Sequence, residues 1–309
     1  MVTINSVGRL GPKKPRSAEA KLQQRLEFIE FRLFWSGGVN RKDIQKEFHI
    51  SPPQASNDLA AYQSLAPANL EYDGNRKRYV RSEAFRAVLS ATSTERHLRQ
   101  LAGMEQGWLK EQDTWFANAP PVASVSLAGR MPSPDVVMSI TDAIREKLLI
   151  DMVYSSMTGE PDHHRTIAPH AFVEAQGRWY VRAWSEKHRD FRDYAMARIA
   201  RALPGAKSPV DPRDDLEWNH SIDLLIAANP ELEPAQKKAK EAEYQMTDGM
   251  LTINCRLSTT FYLIAEHRLD VEPNILQAYQ QPLVLTNLDE VQNTREVVRK
   301  LASNAGARK

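Results

Sequence analysis

A helix must begin at Pro52. Ser51-Pro52-Pro53-Gln54-Ala55 offers a capping serine, a proline at the first helical position where no backbone donor is required, and a glutamine three residues after the cap. Ile50 and Ala55 occupy staple positions, and Ala55, Leu59 and Tyr62 then mark the buried side of a helix running to about Ser64. Upstream, Leu22, Leu26, Ile29 and Leu33 recur on one face of a helix that Gly37-Gly38 ends. Between the two, Asn40 can cap a short helix reaching about Phe48, with Val39 packing on Ile44 and a tight turn at His49-Ile50. Two short helices joined by a tight turn behind a supporting helix make a helix-turn-helix.

The next segment predicts a wing. Leu70-Glu71-Tyr72 and Arg76-Lys77-Arg78-Tyr79-Val80 flank Asp73-Gly74, a favoured hairpin turn, and place three consecutive basic residues on the return strand. On the second helix of the pair, Ser51, Pro53, Gln54, Ser56 and Asn57 lie away from Ala55 and Leu59 and are short enough to read base edges in a major groove. Arg41, Lys42 and Lys46 on the preceding helix can grip phosphates. The net charge of +2 hides an asymmetry: residues 1–81 carry 14 Lys/Arg against 8 Asp/Glu, and the remainder is acidic. A basic domain ahead of an acidic body fits a reader of double-stranded DNA joined to a sensing or assembling partner. A basic winged helix can also serve protein interaction, and that alternative stays open here.

Residues 83–117 read as helical, with Phe85, Val88, Leu89, then Leu98, Leu101 and Met104 at helical spacing; 117–134 is proline-bearing linker. A helix over about 134–148 carries Val137, Ile140, Ile144 and Leu148 on one side. From Leu149 the period becomes two. Strands are expected over 150–155, 164–168 and 171–174 with a kink at Pro169-His170, then through Arg178–Trp184, and finally over 191–199, with turns at 158–162, Gln176-Gly177 and 186–190. In Arg178-Trp179-Tyr180-Val181-Arg182-Ala183-Trp184, alternation puts Tyr180, Arg182 and Trp184 on one face and turns Trp179 with Val181 and Ala183 into the core. Ring, guanidinium, ring suits a nucleotide or phosphate. An exposed strand with solvated arginines is the plain alternative.

The succession of Tyr154-Ser155-Ser156, Arg165-Thr166-Ile167-Ala168-Pro169-His170, Arg178-Trp179-Tyr180-Val181-Arg182-Ala183 and Phe191-Arg192-Asp193-Tyr194-Ala195-Met196-Ala197-Arg198-Ile199 resembles the WYL domain, whose Trp-Tyr-Leu triplet stands here as Trp179-Tyr180-Val181. The resemblance spans nearly the whole chain and is closest to WYL regulators found beside bacterial phage-defence operons. It implies an α+β multidomain architecture: a winged helix-turn-helix over 1–82, a helical connector and linker over 83–133, an Sm-like small β-barrel over 134–205, and a C-terminal α/β extension over 206–309. It also implies a dimeric repressor acting on an inverted-repeat operator. A nucleotide or nucleic-acid effector would be held by Tyr154, Ser155, His170, Tyr180, Arg182, Arg189 and Arg198, without a cofactor. His170 at a kink is equally readable as a structural hydrogen-bonding group, and Arg189 as a solvated turn residue. An activator remains the alternative to a repressor.

In the C-terminal region, 209–217 reads as a linker, 223–232 and 235–243 as helices, and Leu251–Leu257 as a strand after a Thr247-Asp248-Gly249 turn. Ser258 is placed to cap a helix to about Arg268; a strand near 282–286 and a helix over 288–301 close the domain. A metal-dependent nuclease is the rival reading. Pro161-Asp162 and His163-His164 hint at a metal site, yet no acidic-x-Lys triplet follows, adjacent strand histidines face opposite ways, and no phosphate-binding glycine loop or nucleophile elbow is present, so no enzyme is expected. The lone Cys255, in an alternating apolar segment, and the absence of an apolar leader or an 18-residue apolar run predict a cytoplasmic protein without a membrane span.

Overall fold

The computed structural model describes residues 18–89, 92–125, 131–157 and 163–306. The chain divides into two units, residues 1–125 and 126–309.

In the first unit, α1 (Ala18–Ser36), β1 (Gly38–Val39), α2 (Arg41–Phe48), α3 (Pro52–Leu65), β2 (Leu70–Asp73) and β3 (Arg78–Arg81) make the winged helix, and α4 (Thr94–Glu105) follows it. The expected caps form: Asn40 accepts from the Asp43 amide while Asp43 accepts from the Asn40 amide, and the Ser51 hydroxyl accepts from the Gln54 amide at 3.4 Å. Leu26, Ile29, Leu33, Ile44, Ala55, Leu59 and Tyr62 are buried together, so the three helical stripes read from the sequence meet in one core. The strands pair antiparallel in the order β1-β3-β2. Gly38 has to be glycine, because a Cβ there would lie 2.5 Å from the Tyr79 carbonyl oxygen.

Two expectations in this unit are corrected. The hairpin turn is longer than Asp73-Gly74: Asp73 Oδ1 accepts from the amides of Asn75 and Arg76, Lys77 takes a positive φ of 51°, and Asp73 pairs with Arg78. Arg76 and Lys77 therefore sit in the turn and only Arg78 is on the return strand. The helix expected over 83–117 is confined to α4. Residues 83–89 are irregular, packing Phe85 and Leu89 on the winged-helix core, and the amides of Val88 and Leu89 donate to the buried carboxylate of Glu30 at 2.9 and 2.8 Å. On α4, Leu98 is exposed; the packed face is His97, Leu101 and Met104, with the His97 ring stacked on Trp35 at 3.7 Å.

The second unit opens with α5 (Pro134–Glu146), followed by β4 (Leu148–Tyr154), β5 (His163–Ala175), β6 (Arg178–Ser185), β7 (Asp190–Ala195) and β8 (Ile199–Lys207). Val136, Ile140 and Ala143 of α5 pack on Ile150, Met152, Ile167, Val181 and Ala183 of the sheet, whose antiparallel order is β7-β6-β5-β4-β8. The kink at Pro169-His170 appears as a register shift between Pro169 and Ala171, and Gln176 and Gly177, with φ of 54° and 69°, form the tight turn into β6. The turn expected over 158–162 lies outside the described residues.

The strand expected over 191–199 instead stops at Ala195; Met196–Arg198 form a single 3-10 turn and β8 continues as a fifth strand. Pro204 and Gly205 obscure β8 in the sequence, and both are tolerated because β8 is an edge strand paired only with β4. The expected closed barrel is not found: among the described residues β7 and β8 are not paired with each other, so the sheet is five-stranded with two free edges.

Beyond it come α6 (Leu216–Asn219), β9 (Ser221–Ala228), α7 (Pro234–Glu243), β10 (Met250–Arg256), α8 (Thr260–His267), β11 (Leu283–Leu285) and α9 (Leu288–Gly306), with the antiparallel order β10-β9-β11. The helix expected over 223–232 is corrected: β9 is the central strand, and Ile222, Leu224, Ile226 and Ala228 alternate into the core. The 209–217 linker is corrected as well, since it holds a 3-10 turn and the start of α6. Ser258 lies in a 3-10 turn and does not cap α8. No helix among the described residues is long and apolar enough to cross a membrane.

Candidate nucleic-acid interface and effector cleft

On α2, Ile44 is fully buried while Arg41, Lys42 and Lys46 are exposed, so one helix anchors the fold and presents three cations. On α3, Ala55, Asp58, Leu59 and Tyr62 face inward; Ser51, Pro53 and Asn57 are exposed and Gln54 and Ser56 are half-buried. Arg41 Nη1 donates to the Ser56 hydroxyl at 3.5 Å, tying α2 to α3. Arg76 and Lys77 at the wing tip are exposed, whereas Arg78 folds across Gly38 and is half-buried. The DNA-facing residues expected from the sequence thus occur in the first unit as one exposed set, with Arg78 turned partly inward.

The seven expected effector residues separate into three groups. Tyr180 and Arg198 line a cleft of about 230 Å³ together with Arg178, Trp179, Gly177, Met131 and Pro132. Tyr154 and Ser155 adjoin it: Tyr154 pairs opposite Ile199, and the Ser155 amide donates to the Arg198 carbonyl at 3.0 Å. Trp179 is corrected from core to surface, being 44% exposed. It is the second residue of β6, paired with Glu174 close to the Gln176-Gly177 turn. Two guanidiniums and two aromatic rings in one cleft suit an anionic ring-bearing ligand.

His170 and Arg182 form the second group, away from that cleft. Tyr180 and Arg182, on one face of β6, turn toward the C-terminal elements, whereas Trp184 packs on Phe191. Arg182 is 4% exposed and donates bidentately to Asp215, from Nε to Oδ2 at 2.8 Å and from Nη2 to Oδ1 at 2.9 Å. His170 Nε2 donates to the same Oδ2 at 2.9 Å, since a carboxylate can only accept, and the Trp218 amide donates to Oδ1 at 3.1 Å. Asp193 and Glu217 lie 3.4 and 3.5 Å from Arg182. Tyr262 donates to Asp193 at 2.9 Å and packs its ring on Tyr180 at 5.0 Å.

Burial works against the Arg182 cation, but its hydrogen bonds to Asp215 and the charges of Asp215, Asp193 and Glu217 outweigh burial and raise its pKa. Burial likewise opposes ionisation of Asp215, and the hydrogen bonds from His170 and Arg182 overcome it, holding its pKa below the usual aspartate value. For Asp193 burial wins and the pKa is raised. Arg189 stands alone: it is exposed, 5.7 Å above the Trp184 ring and 3.9 Å from Glu186.

Sequence reasoning missed Asp215, Glu217, Tyr262, Arg178 and the exposure of Trp179. An aspartate preceding Leu216 by one residue was the one available signal for Asp215, as an N-cap; the others depend on pairings between segments far apart in the chain.

Residues 21–103 match the BrxR transcriptional regulator winged helix-turn-helix domain, residues 135–204 the WYL domain, and residues 221–291 the BrxR transcriptional regulator C-terminal dimerization domain. A protein of Pseudomonas aeruginosa named DNA-binding transcriptional repressor CapW is 34% identical over 276 residues, which is 88% of this chain and 91% of that one. Its namesakes in Escherichia coli strain KTE188 and Stenotrophomonas maltophilia are 35% and 32% identical, each over 87% of this chain and 90% of theirs. Among solved structures, proteasome accessory factor B/C of Arthrobacter aurescens aligns at 14% identity and a TM-score of 0.28, over 88% of this chain and 45% of that one, and carries no argument. By three domain matches in order and by identity over almost its whole length, the chain belongs to the BrxR and CapW family of winged-helix, WYL-domain transcriptional regulators.

Proposed function

We propose that this protein is a homodimeric, sequence-specific DNA-binding repressor whose WYL region senses a nucleotide or nucleic-acid effector. The observation that carries the reading is the exposed set of Arg41, Lys42, Lys46, Arg76 and Lys77 around a helix whose outward residues, Ser51, Pro53, Gln54, Ser56 and Asn57, are short and polar or apolar, never acidic. Phosphates would be met by the cations and bases by α3. The two winged helices of a dimer would take the halves of an inverted repeat, one or more helical turns apart. Dimerisation is assigned to the C-terminal region, 206–309, DNA reading to 1–82, the connector to 83–133 and sensing to 134–205. The regulated genes are read as a phage-defence operon on family resemblance, and the setting as cytoplasmic because the operator is there.

The effector is placed in the Arg178, Trp179, Tyr180 and Arg198 cleft, with Tyr154 and Ser155 at its margin. Five strands bent by register shifts are the material of an Sm-like barrel, and this sheet is read as one that does not close. A ligand against Tyr180 would press on Tyr262, and through Asp193 reach Arg182 and Asp215, which join the sheet to the C-terminal elements. His170 and Arg182 would then transmit the effector's presence instead of touching it. Such a ligand shifts the population only as far as it binds one state better than the other.

Selection of bound sequences from a random DNA pool tests the reading. The expected product is an inverted repeat; recovery of no consensus sequence overturns it. In the second arm, a mixed panel of nucleotides and short oligonucleotides should release the selected operator from the wild type and fail to release it from Arg198→Ala.

A further inference from the structure

The polar side chains that α3 presents are not equivalent. Gln54 Nε2 donates to Asp58 Oδ1 at 2.9 Å, one turn further along the helix. Asp58 is 1% exposed and is gripped by Arg25 of α1, from Nε at 2.6 Å and Nη2 at 3.2 Å. A carboxylate held this way only accepts, so the Gln54 amide has its nitrogen turned back toward α1. The Ser56 hydroxyl donates to the Pro52 carbonyl at 3.1 Å and accepts from Arg41, and the Ser51 hydroxyl is engaged as the helix cap. Each of these side chains is already held in one orientation by a hydrogen bond within the fold.

Asn57 has no such commitment. It is exposed, its amide makes no hydrogen bond among the described residues, and it stands one turn beyond Pro53 on a face continued by the exposed Ala60. These small neighbours let base edges approach closely. A free carboxamide offers one donor and one acceptor side by side, the complement of N7 and the N6 amino group on the major-groove edge of adenine. Guanine presents two acceptors there and cannot satisfy both halves of the amide. Arg41, next to Ser56, sits where the flanking phosphate would fix the register.

We propose that Asn57 reads an adenine in each operator half-site, while Gln54 and Ser56 are positioning residues that hold α3 and read no base. This rests on the DNA-binding reading above, and the test separates the two. The operator selected by the wild type is scanned with 7-deazaadenine, which removes N7 and leaves Watson–Crick pairing intact. Wild-type protein should lose about 2- to 12-fold in affinity at one adenine per half-site, the worth of one of the two bonds. Asn57→Ala should bind the normal operator at least as weakly as the wild type binds the altered one, and should be indifferent to 7-deazaadenine at that position. Gln54→Ala and Ser56→Ala should keep the wild type's sensitivity, with any loss spread evenly over the operator. The proposal is overturned if Asn57→Ala stays sensitive at that position, or if sensitivity vanishes in Gln54→Ala or Ser56→Ala instead. Failure of the wild type to select any operator overturns the DNA-binding reading itself. Equal melting temperatures for Asn57→Ala and wild type confirm that the exposed substitution leaves the fold intact.

Discussion

Arg182 and Asp215, 33 residues apart in the chain, form a bidentate pair between β6 of the WYL sheet and the cap of α6, with both side chains at 5% exposure or less. Removing one partner from a buried pair strands the other charge, which costs about 3–5 kcal/mol. Arg182→Ala and Asp215→Ala should each destabilise the second unit by that order in urea unfolding. Arg182→Met combined with Asp215→Leu should cost less than the sum of those same two changes made singly, because neither charge of the pair is left facing an empty place, while Asp193 keeps the Tyr262 hydroxyl. Additive losses would show that the two residues act independently. Since the Asp215 pKa is depressed, its contribution is complete above the unfolded-chain value of about 3.9 and disappears as pH falls through the lower folded value. Asp193, raised by burial, has the opposite sign in that region.

Glu30 does comparable work in the first unit. It is fully buried on α1 and accepts from the Tyr62 hydroxyl of α3 and from the amides of Val88 and Leu89, so one carboxylate fixes α3 and the segment after the wing together. Glu30→Ala leaves three donors unsatisfied and should cost about 3 kcal/mol or more, at about 1–3 kcal/mol for each donor left fully buried without water. Tyr62→Phe removes the bond to Glu30 and the one its hydroxyl accepts from Asn69 at 3.0 Å, and should cost about 1–3 kcal/mol. In the Glu30→Ala background the Tyr62→Phe change should cost less than in the wild type, by about the 1 kcal/mol of the Glu30 bond, with only the Asn69 bond left to lose, measured by thermal unfolding of the two single variants and the double.

What the sequence disclosed follows from which interactions are local. Asn40, Ser51 and the Leu26, Ile29, Leu33 stripe are decided within one or two turns of chain, and all behave as read. Residues 223–232 look helical in the sequence, and Leu and Ala there do favour helices; pairing of β9 on both sides with β10 and β11 outweighs that preference. Arg182 was placed on the correct face of β6, but nothing in Arg178–Trp184 could reveal that Asp215 would cover that face. The effector set therefore split where a long-range acid intervened.

The three basic residues of the wing differ in what they touch within the fold. Arg76 and Lys77 are exposed in the turn after Asp73, while Arg78 packs over Gly38. Changing Arg76 and Lys77 together to alanine should leave the melting temperature unchanged and reduce the slope of log affinity against log salt by up to about 2. Arg78→Ala should lower the melting temperature and change the salt slope by less than the paired substitution does. A salt slope unaltered by the Arg76 and Lys77 changes would remove the wing tip from the interface.

His97 makes the first unit sensitive to mild acid. Its ring is 9% exposed and stacked on Trp35 at 3.7 Å with an interplanar angle of 12°, and its Nδ1 is buried without a partner. Burial disfavours the imidazolium and lowers the pKa. The unfolded chain takes up its proton near pH 6.5 while the folded chain resists, so the stability that neutral His97 confers is complete above about pH 6.5 and is lost as pH falls below it. Unfolding followed by Trp35 and Trp115 fluorescence should show the first unit weakening between pH 7.5 and 5.5. His97→Phe keeps an aromatic ring against Trp35 and cannot be protonated, so it should abolish that pH dependence; its persistence in the variant would assign the effect to another group.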